Sequence, residues 1–284
     1  MSPTVAVVTD STAYLPAELC RVRGIGVVPV SVVLGGQVHD ETDVSAQDVA
    51  KALREWKPVT TSRPSPQRFA DCYSALAEEG HDAIVSVHLS SELSATVESA
   101  WLAAGHCSVP VEVVDSQTIG MALGYAVLTA AEAAAGGADV KEVVAAAQRR
   151  LDASSLLFYV DTLEYLRRGG RIGTAAALVG SALSIKPLLH MVDGRVEPLE
   201  KVRTTGKALL RLAELASERA RDAEVEEVDV AVHHLDNEER ATALADSLRS
   251  KISNAREVRL VDIGAVVGAH VGPGTIAVVV APVV

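Results

Sequence analysis

The sequence predicts an α/β protein of two domains, residues 1–154 and 155–284, the first on a mainly parallel Rossmann-like sheet and the second on a mixed sheet. Three observations predict it. The chain of 284 residues is long enough for two ordinary domains. Short runs of Val and Ile, apolar at every position, alternate with helical patterns, as in strands buried on both faces. Past about residue 155 the rhythm changes, and a tight hairpin joins the strands and helices.

The elements follow in order. Val5-Val8 is a strand that ends in Thr9-Asp10-Ser11-Thr12, and Pro16 then opens a helix at a favoured proline position. Val27-Leu34 reads as a second strand. Ile84-Leu89 is a strand ending in Ser90-Ser91, with a helix from about Ser94; Val111-Val114 ends in Asp115-Ser116, with a helix from about Thr118. Each Ser/Thr/Asp cluster can be a simple helix N-cap. Three of them at three strand carboxyl ends also mark the place where parallel sheets bind ligands. A charged helix near Val140-Leu151 closes the first domain, and Leu156-Val160 begins the second. Val192-Asp193-Gly194-Arg195-Val196 reads as a hairpin because Asp-Gly supplies positive φ. Val228-Leu235, Val258-Ile263 and Thr275-Val280 are further strands, and Asp236 is placed to cap the helix after the first of these.

Composition excludes several classes. Hydrophobic residues make up 49% of the chain and mean hydropathy is +0.23, which excludes a disordered chain. The net charge of −11 argues against a nucleic-acid coat, which needs a basic face. The start, Met1-Ser2-Pro3-Thr4, shows no charged region before an apolar stretch, and no apolar run reaches membrane-spanning length, so a cytoplasmic location is expected. Three dispersed cysteines, Cys20, Cys72 and Cys107, form no zinc spacing and are expected as free thiols. No metal site is expected. Nine aromatic residues require an aliphatic core.

Several motifs fail when tested. Thr204-Thr205-Gly206-Lys207-Ala208 lacks the first glycine and the Ser/Thr of a phosphate loop, and no dinucleotide fingerprint or nucleophile elbow exists. His233 and His234 point to opposite faces of a strand, so a solvent-exposed or capping role is expected for them. Four motifs survive. Thr60-Thr61-Ser62-Arg63-Pro64-Ser65-Pro66 is a hydroxyl run stiffened by prolines, and His88-Leu89-Ser90-Ser91-Glu92-Leu93-Ser94 opens a strand end onto serines. The segment from Gly264 to Gly274 is a glycine-rich loop around His270, readable as a turn or as a ligand contact. The segment from Asp161 to Gly173 carries Arg167, Arg168 and Arg171. From Arg167 to Arg211 there are nine Lys/Arg and three Asp/Glu, a charge of +6 that leaves −17 for the remainder. That excess marks a docking face for an acidic or phosphorylated partner.

Taken together, and with Val114-Asp115-Ser116, Ile185-Lys186-Pro187-Leu188 and Lys201-Val202-Arg203-Thr204, these motifs resemble the DegV family, the fatty-acid-binding B subunits of fatty acid kinase, over essentially the whole chain. The resemblance implies a long-chain fatty acid held between two α/β domains, no covalent cofactor and no catalysis by this chain alone. A separate kinase subunit carrying ATP phosphorylates the acyl carboxylate to acyl phosphate. Carried over by residue, Thr61, Ser62, Ser91, Ser94 and His270 bind the carboxylate, and His270 also supports phosphoryl transfer. Arg167, Arg168, Arg171 and Arg203 meet the kinase. Peripheral membrane contact for lipid exchange is a further implication. Ala95, where the family often has Gly, and Ile119-Gly120-Met121-Ala122-Leu123-Gly124 depart from the family pattern and bear on chain preference. The alternatives are a serine-dependent acyl hydrolase using Ser91 or Ser94 with His270, and a nucleotide-binding regulator.

The physical terms fit an acyl ligand. About 14 methylenes at ~0.8 kcal/mol each give at most roughly 11 kcal/mol on burial, reduced by ordering and association. An ionised carboxylate must be hydrogen-bonded when buried, and hydroxyl donors contribute about 1.5–3 kcal/mol each.

Overall fold

The computed structural model describes residues 4–179 and 186–284. The chain divides into two compact units: Met1–Ser31 with Ser62–Asp152, and Val32–Thr61 with Ala153–Val284. The junction at 152/153 lies beside the expected boundary at 154/155. The excursion 32–61 has no counterpart in a single cut, because this stretch makes its contacts with the C-terminal unit.

In chain order the elements begin with β1 (Val5–Asp10), α1 (Ala17–Arg23), β2 (Ile25–Val28), β3 (Ser31–Leu34), β4 (Gln37–Asp40), α2 (Ala46–Arg54) and β5 (Val59–Ser62). They continue with α3 (Pro66–Glu78), β6 (Ala83–His88), α4 (Thr96–Ala104), β7 (Val111–Asp115), α5 (Met121–Ala135) and α6 (Val140–Ala153). The expected strand Val27–Leu34 is two strands in two sheets. Pro29, between β2 and β3, has no amide hydrogen with which to continue a ladder.

The first unit is built on a four-stranded sheet in the order β2-β1-β6-β7, with every pairing parallel. All six residues of β1 and of β6 are buried, as the unbroken apolar runs require. Side chains alternate across the sheet. Val5, Val7, Val85 and Val87 pack on one face with Leu123, Ala126 and Ala130 of α5. Ala6, Val8 and Ile84 pack on the other with Phe69 and Tyr73 of α3 and Ala100 of α4. The chain leaves β1 to one side for β2 and to the other for β6. The switch point of the sheet therefore lies between the carboxyl ends of β1 and β6.

The second unit continues with β8 (Ser155–Tyr159), α7 (Glu164–Gly169), β9 (Lys186–Val192), β10 (Arg195–Val202), α8 (Thr205–Asp222) and β11 (Val228–His234). It closes with α9 (Glu238–Lys251), β12 (Ala255–Asp262), α10 (Ala265–Val271) and β13 (Ile276–Pro282). Its six-stranded sheet runs β10-β9-β8-β13-β11-β12, antiparallel except for the β11–β12 pair. The mixed sheet is the one expected. Asp193 and Gly194 turn the β9–β10 hairpin with φ of 47° and 79°. Ala208, Leu212, Leu215 and Ala216 form the buried stripe of α8, packed with Leu244 and Leu248 of α9 against β11 and β13. The Thr204-Thr205-Gly206-Lys207 run is a helix start: the Thr204 hydroxyl accepts from the Lys207 amide. A separate three-stranded sheet, β4-β3-β5, is formed by the excursion.

Two further expectations change. His233 and His234 are buried, 2% and 6% exposed, because β11 lies between β13 and β12 instead of at an edge. Asp236 does not cap α9; it takes a positive φ of 53° and pairs with Arg54. The three cysteines are free, Cys20 buried and the others half-buried, and burial pushes the Cys72 thiol up to about 11. No helix among the described residues is long and apolar enough to cross a membrane. No cluster of three or more His, Cys, Asp or Glu among them could hold a metal ion.

Candidate functional site

In the first unit, the switch point is floored by a buried polar network. The two oxygens of Asp10 accept from the amide and hydroxyl of Thr12, from the Leu89 amide at 3.0 Å, and from His88 Nδ1 at 3.1 Å. The Tyr73 hydroxyl donates to Ser86 Oγ at 2.8 Å, and Ser86 Oγ is hydrogen-bonded to His88 Nε2 at 2.6 Å. His88 thus bridges Ser86 on its Nε2 side and Asp10 on its Nδ1 side. Asp10, Ser86 and His88 are fully buried. The order Ser-His-Asp resembles a hydrolytic triad, but Ser86 is sealed beneath Tyr73 and its hydroxyl is closed to any substrate. The network instead holds the strand ends that carry Ser90 and Ser91. Sequence reasoning noted both clusters, Thr9–Thr12 and His88–Ser91, without seeing that they bond to each other across adjacent strands.

The serines on this loop differ in what they can offer. Ser91 donates its hydroxyl hydrogen to Asp115 Oδ2 at 2.5 Å, and its amide donates to Oδ1. A hydroxyl engaged this way has lone pairs left but no hydrogen for a carboxylate. Ser94 is 2.9 Å from the hydroxyl of the buried Thr96. With Thr96 as donor, the Ser94 hydrogen is available to a ligand. Thr96 was not among the candidate residues.

In the second unit, Thr61 Oγ1 lies 2.8 Å from His270 Nε2. Thr61 lies in β5, next to its last residue, and His270 in the last turn of α10, so the contact joins the excursion to the glycine loop. Thr61 and Ser62 point to opposite sides of their strand; Thr61 faces His270, while Ser62 is exposed. Helix α10 is anchored at its other end by Glu41, a 5%-exposed carboxylate that accepts from the Val266 amide at 3.0 Å.

The glycines of the loop serve close packing with the arginine motif. A Cβ on Gly169 would overlap the His270 ring. Gly272, at φ 77°, lies flat against the Tyr165 ring. The two motifs, a hundred residues apart, are thus the two sides of one contact between α7 and α10. Burial, with the charge of Arg171 as a second cause, pushes His270 down to about 4. The imidazole is neutral at pH 7, and its Nδ1 is buried with no hydrogen-bond partner among the described residues.

Thr61 and His270 both line a cleft of about 450 Å³ within this unit. Its walls include Trp56, Lys57, Tyr165, Arg168 and Arg171. Trp56 is 70% exposed and lies under the Arg168 guanidinium at 5.0 Å. Neither Trp56 nor Lys57 was singled out by sequence; one of only two tryptophans, beside a lysine and just before the Thr60-Thr61-Ser62 run, was the available signal. Arg167 and Arg168 share the Glu164 carboxylate, which they hold down at about 2. Arg203 is exposed and makes no ion pair among the described residues. Ile185 of the Ile185-Lys186-Pro187-Leu188 motif lies outside the described residues.

A two-unit α/β fold with a parallel and a mixed sheet, and a hydroxyl–imidazole pair beside an arginine motif, defines a narrow class of proteins. The chain belongs to the DegV family, whose profile, described as "Uncharacterised protein, DegV family", matches residues 4–283. It is 54% identical over 281 residues to a DegV domain-containing protein of Streptomyces coelicolor, covering 99% of both chains. A solved DegV family protein of Thermus thermophilus, described as fatty-acid-binding, superposes with a TM-score of 0.92 at 34% identity, covering 99% of this chain and 100% of that one. DegV of Bacillus subtilis, described as a fatty acid binding protein, gives 0.90 at 32% identity with the same coverage.

Proposed function

We propose that this protein binds a long-chain fatty acid and presents its carboxylate to a separate, ATP-carrying kinase subunit, and is not itself the catalyst. The observation that carries the reading is the Thr61–His270 pair lining a cleft, in a family whose solved members include fatty acid binders. In its Nε2–H tautomer the neutral His270 donates to Thr61 Oγ1, and Thr61 then turns its own hydrogen to the carboxylate. Nδ1 is left as a bare acceptor in its buried position, which matches its lack of a partner. On the first unit, Ser94 is the hydroxyl we assign to ligand binding, with Ser62 exposed beside Thr61 and Ser91 acting through its bond to Asp115.

A carboxylate held by neutral donors keeps electron density on its oxygens. One oxygen attacks the γ-phosphorus of ATP; an O–P bond forms, the bond from that phosphorus to the bridging oxygen breaks, and ADP leaves with the electron pair. His270, neutral at pH 7, serves by orienting the attacking oxygen. Arg167, Arg168, Arg171 and Arg203 are the kinase-facing charges in this reading, the compartment is the cytoplasm, and lipid exchange takes place at a membrane surface. The hydrolase alternative finds less support: His270 is bonded to Thr61, Ser91 to the Asp115 carboxylate and Ser94 to the Thr96 hydroxyl.

Lipid extraction from purified protein followed by mass spectrometry, with fatty-acid titration of Thr61→Ala, tests the reading. A bound fatty acid and a loss of affinity of about tenfold, the value of one charge-assisted bond, are expected. A nucleotide in the extract, or turnover of acyl esters without a partner, would refute it.

A further inference from the structure

Trp56 stands where the backbone favours a glycine. Helix α2 ends in a Schellman cap, in which the Trp56 amide donates to the Leu53 carbonyl at 3.1 Å and the Lys57 amide to the Ala52 carbonyl at 2.9 Å. Trp56 takes a φ of 57°, a left-handed conformation that glycine adopts freely and a bulky side chain adopts only with strain. Burial does not offset that strain, because the residue is 70% exposed. The Arg168 guanidinium, 5.0 Å from the ring, makes an exposed cation–π pair, which is a small compensation. The pair does restrain the indole on the wall of the cleft. The charge around it has one sign. Lys57, Arg168 and Arg171 line the same cleft, and among the described lining residues there is no Asp or Glu. Glu55 and Glu164, the partners of Lys57 and Arg168, lie outside that lining. An exposed, restrained tryptophan beside arginine is the composition of a protein–protein anchor, where Trp and Arg are enriched. A single indole among cations matches a partner pocket ringed by carboxylates. A bilayer is entered instead by several apolar side chains on one face.

We infer that Trp56 is the anchor of the docking surface for the ATP-carrying kinase subunit, its indole entering an apolar pocket ringed by Asp and Glu on that partner. The inference rests on the fatty-acid reading above and adds the residue that holds the complex together. Charge and contact divide the work by their range. The arginines at the end of α7 act through space and set the rate of encounter. Trp56 acts only on contact, so it sets the lifetime of the complex. Arg168 serves both, because it lies over the ring that docks. The strained conformation is kept because glycine, which suits the backbone better, has no side chain to dock.

The test is surface plasmon resonance of the full chain against the purified cognate kinase subunit, with every variant saturated with palmitate. Trp56→Gly deletes the ring and relieves the backbone, so its thermal midpoint is expected near that of the wild type. Its dissociation from the kinase is expected to be at least about thirtyfold faster. Its association rate is expected to stay within about twofold, because no charge has changed. Trp56→Phe keeps an aromatic ring and is expected to recover most of the lifetime, which separates docking from fold. A wild type that binds palmitate and kinase, with a dissociation rate indifferent to Trp56→Gly, overturns the anchor alone. A lowered thermal midpoint with equal losses in both variants overturns it too, since the ring would then serve the fold. The variants are also sedimented with vesicles of phosphatidylglycerol and phosphatidylcholine. Loss of vesicle binding in Trp56→Gly at an unchanged kinase lifetime assigns the ring to a lipid surface and overturns the inference. Failure of the wild type to bind palmitate overturns the fatty-acid reading, and this inference with it. Palmitate binding without any kinase binding overturns the kinase half of that reading and the anchor together.

Discussion

Burial decides which protons the site residues keep. His270 is held down to about 4 and His233 to about 3, both chiefly by desolvation. Each is neutral in the folded chain and takes up a proton on unfolding wherever the pH lies below the ordinary histidine value of about 6.5. The unfolded state therefore binds more protons between about pH 4 and 6.5, and stability rises with pH across that window. His270→Gln keeps a donor for Thr61 and removes the titration. Urea unfolding at pH 5 and pH 7 should show a smaller gain in stability for the variant than for the wild type; identical gains would show that His270 does not carry the effect. His270 was legible in the sequence as the single imidazole in a glycine loop. The engagement of Ser91 was not, because Asp115 lies on a neighbouring strand, 24 residues away, and only the β6–β7 register brings it into contact.

At the scale of elements, the Thr61–His270 contact is produced by helix packing. Helix α10 is capped by Glu41 at one end and pressed against α7 at the other, and the spacing between α7 and α10 is set by Gly169. An added methyl at Gly169 meets the ring itself, while the backbone there is in a range that alanine accepts. Gly169→Ala should therefore displace His270 and break its bond to Thr61 without unfolding the helix. Fatty-acid affinity is the readout, with thermal unfolding as control. The expected result is a loss of about tenfold in affinity with a near-native transition; unchanged binding would mean that the ring position is not what the ligand senses. The strands and most helices could be read from apolar runs and helical patterns, because burial on both sheet faces imposes those patterns. The three-stranded sheet could not. β3 lies inside the apolar run Val27–Leu34, which reads as one strand, and β4 and β5 are four residues each, partly exposed and largely polar, so no apolar period reports them or separates β3 from β2. The return of residues 32–61 to the second unit is a tertiary choice made by packing of α2 against α10, and it is this choice that delivers Thr61 to His270.

For the molecule as a whole, the governing feature is charge asymmetry. A net charge of −11 conceals +6 between Arg167 and Arg211, and the structure shows how much of that is available. Arg211 is consumed by Glu200, Glu214 and Glu218, and Arg167 and Arg168 share one glutamate. Arg203 stays exposed without an ion pair among the described residues. The positive charge left free of ion pairs is thus smaller than the sequence count, and under the proposed function the part that would meet a kinase lies at the end of α7 and in the segment before α8. Such surface charge acts over roughly a Debye length of ~8–10 Å, so it governs association rate and salt response more than the lifetime of a complex. Arg167 and Arg203 lie outside the residues that line the cleft, so their substitution tests the proposed docking without touching the cleft. Reversal of both, R167E/R203E, is expected to slow association with the cognate kinase subunit by about tenfold or more at low salt and to flatten its dependence on ionic strength. Affinity for fatty acid should stay at the wild-type value. Surface plasmon resonance at several salt concentrations measures the first effect and lipid titration the second. An association rate that keeps both its magnitude and its salt slope would remove this face from the encounter, and would assign the excess of arginine to packing within the second unit.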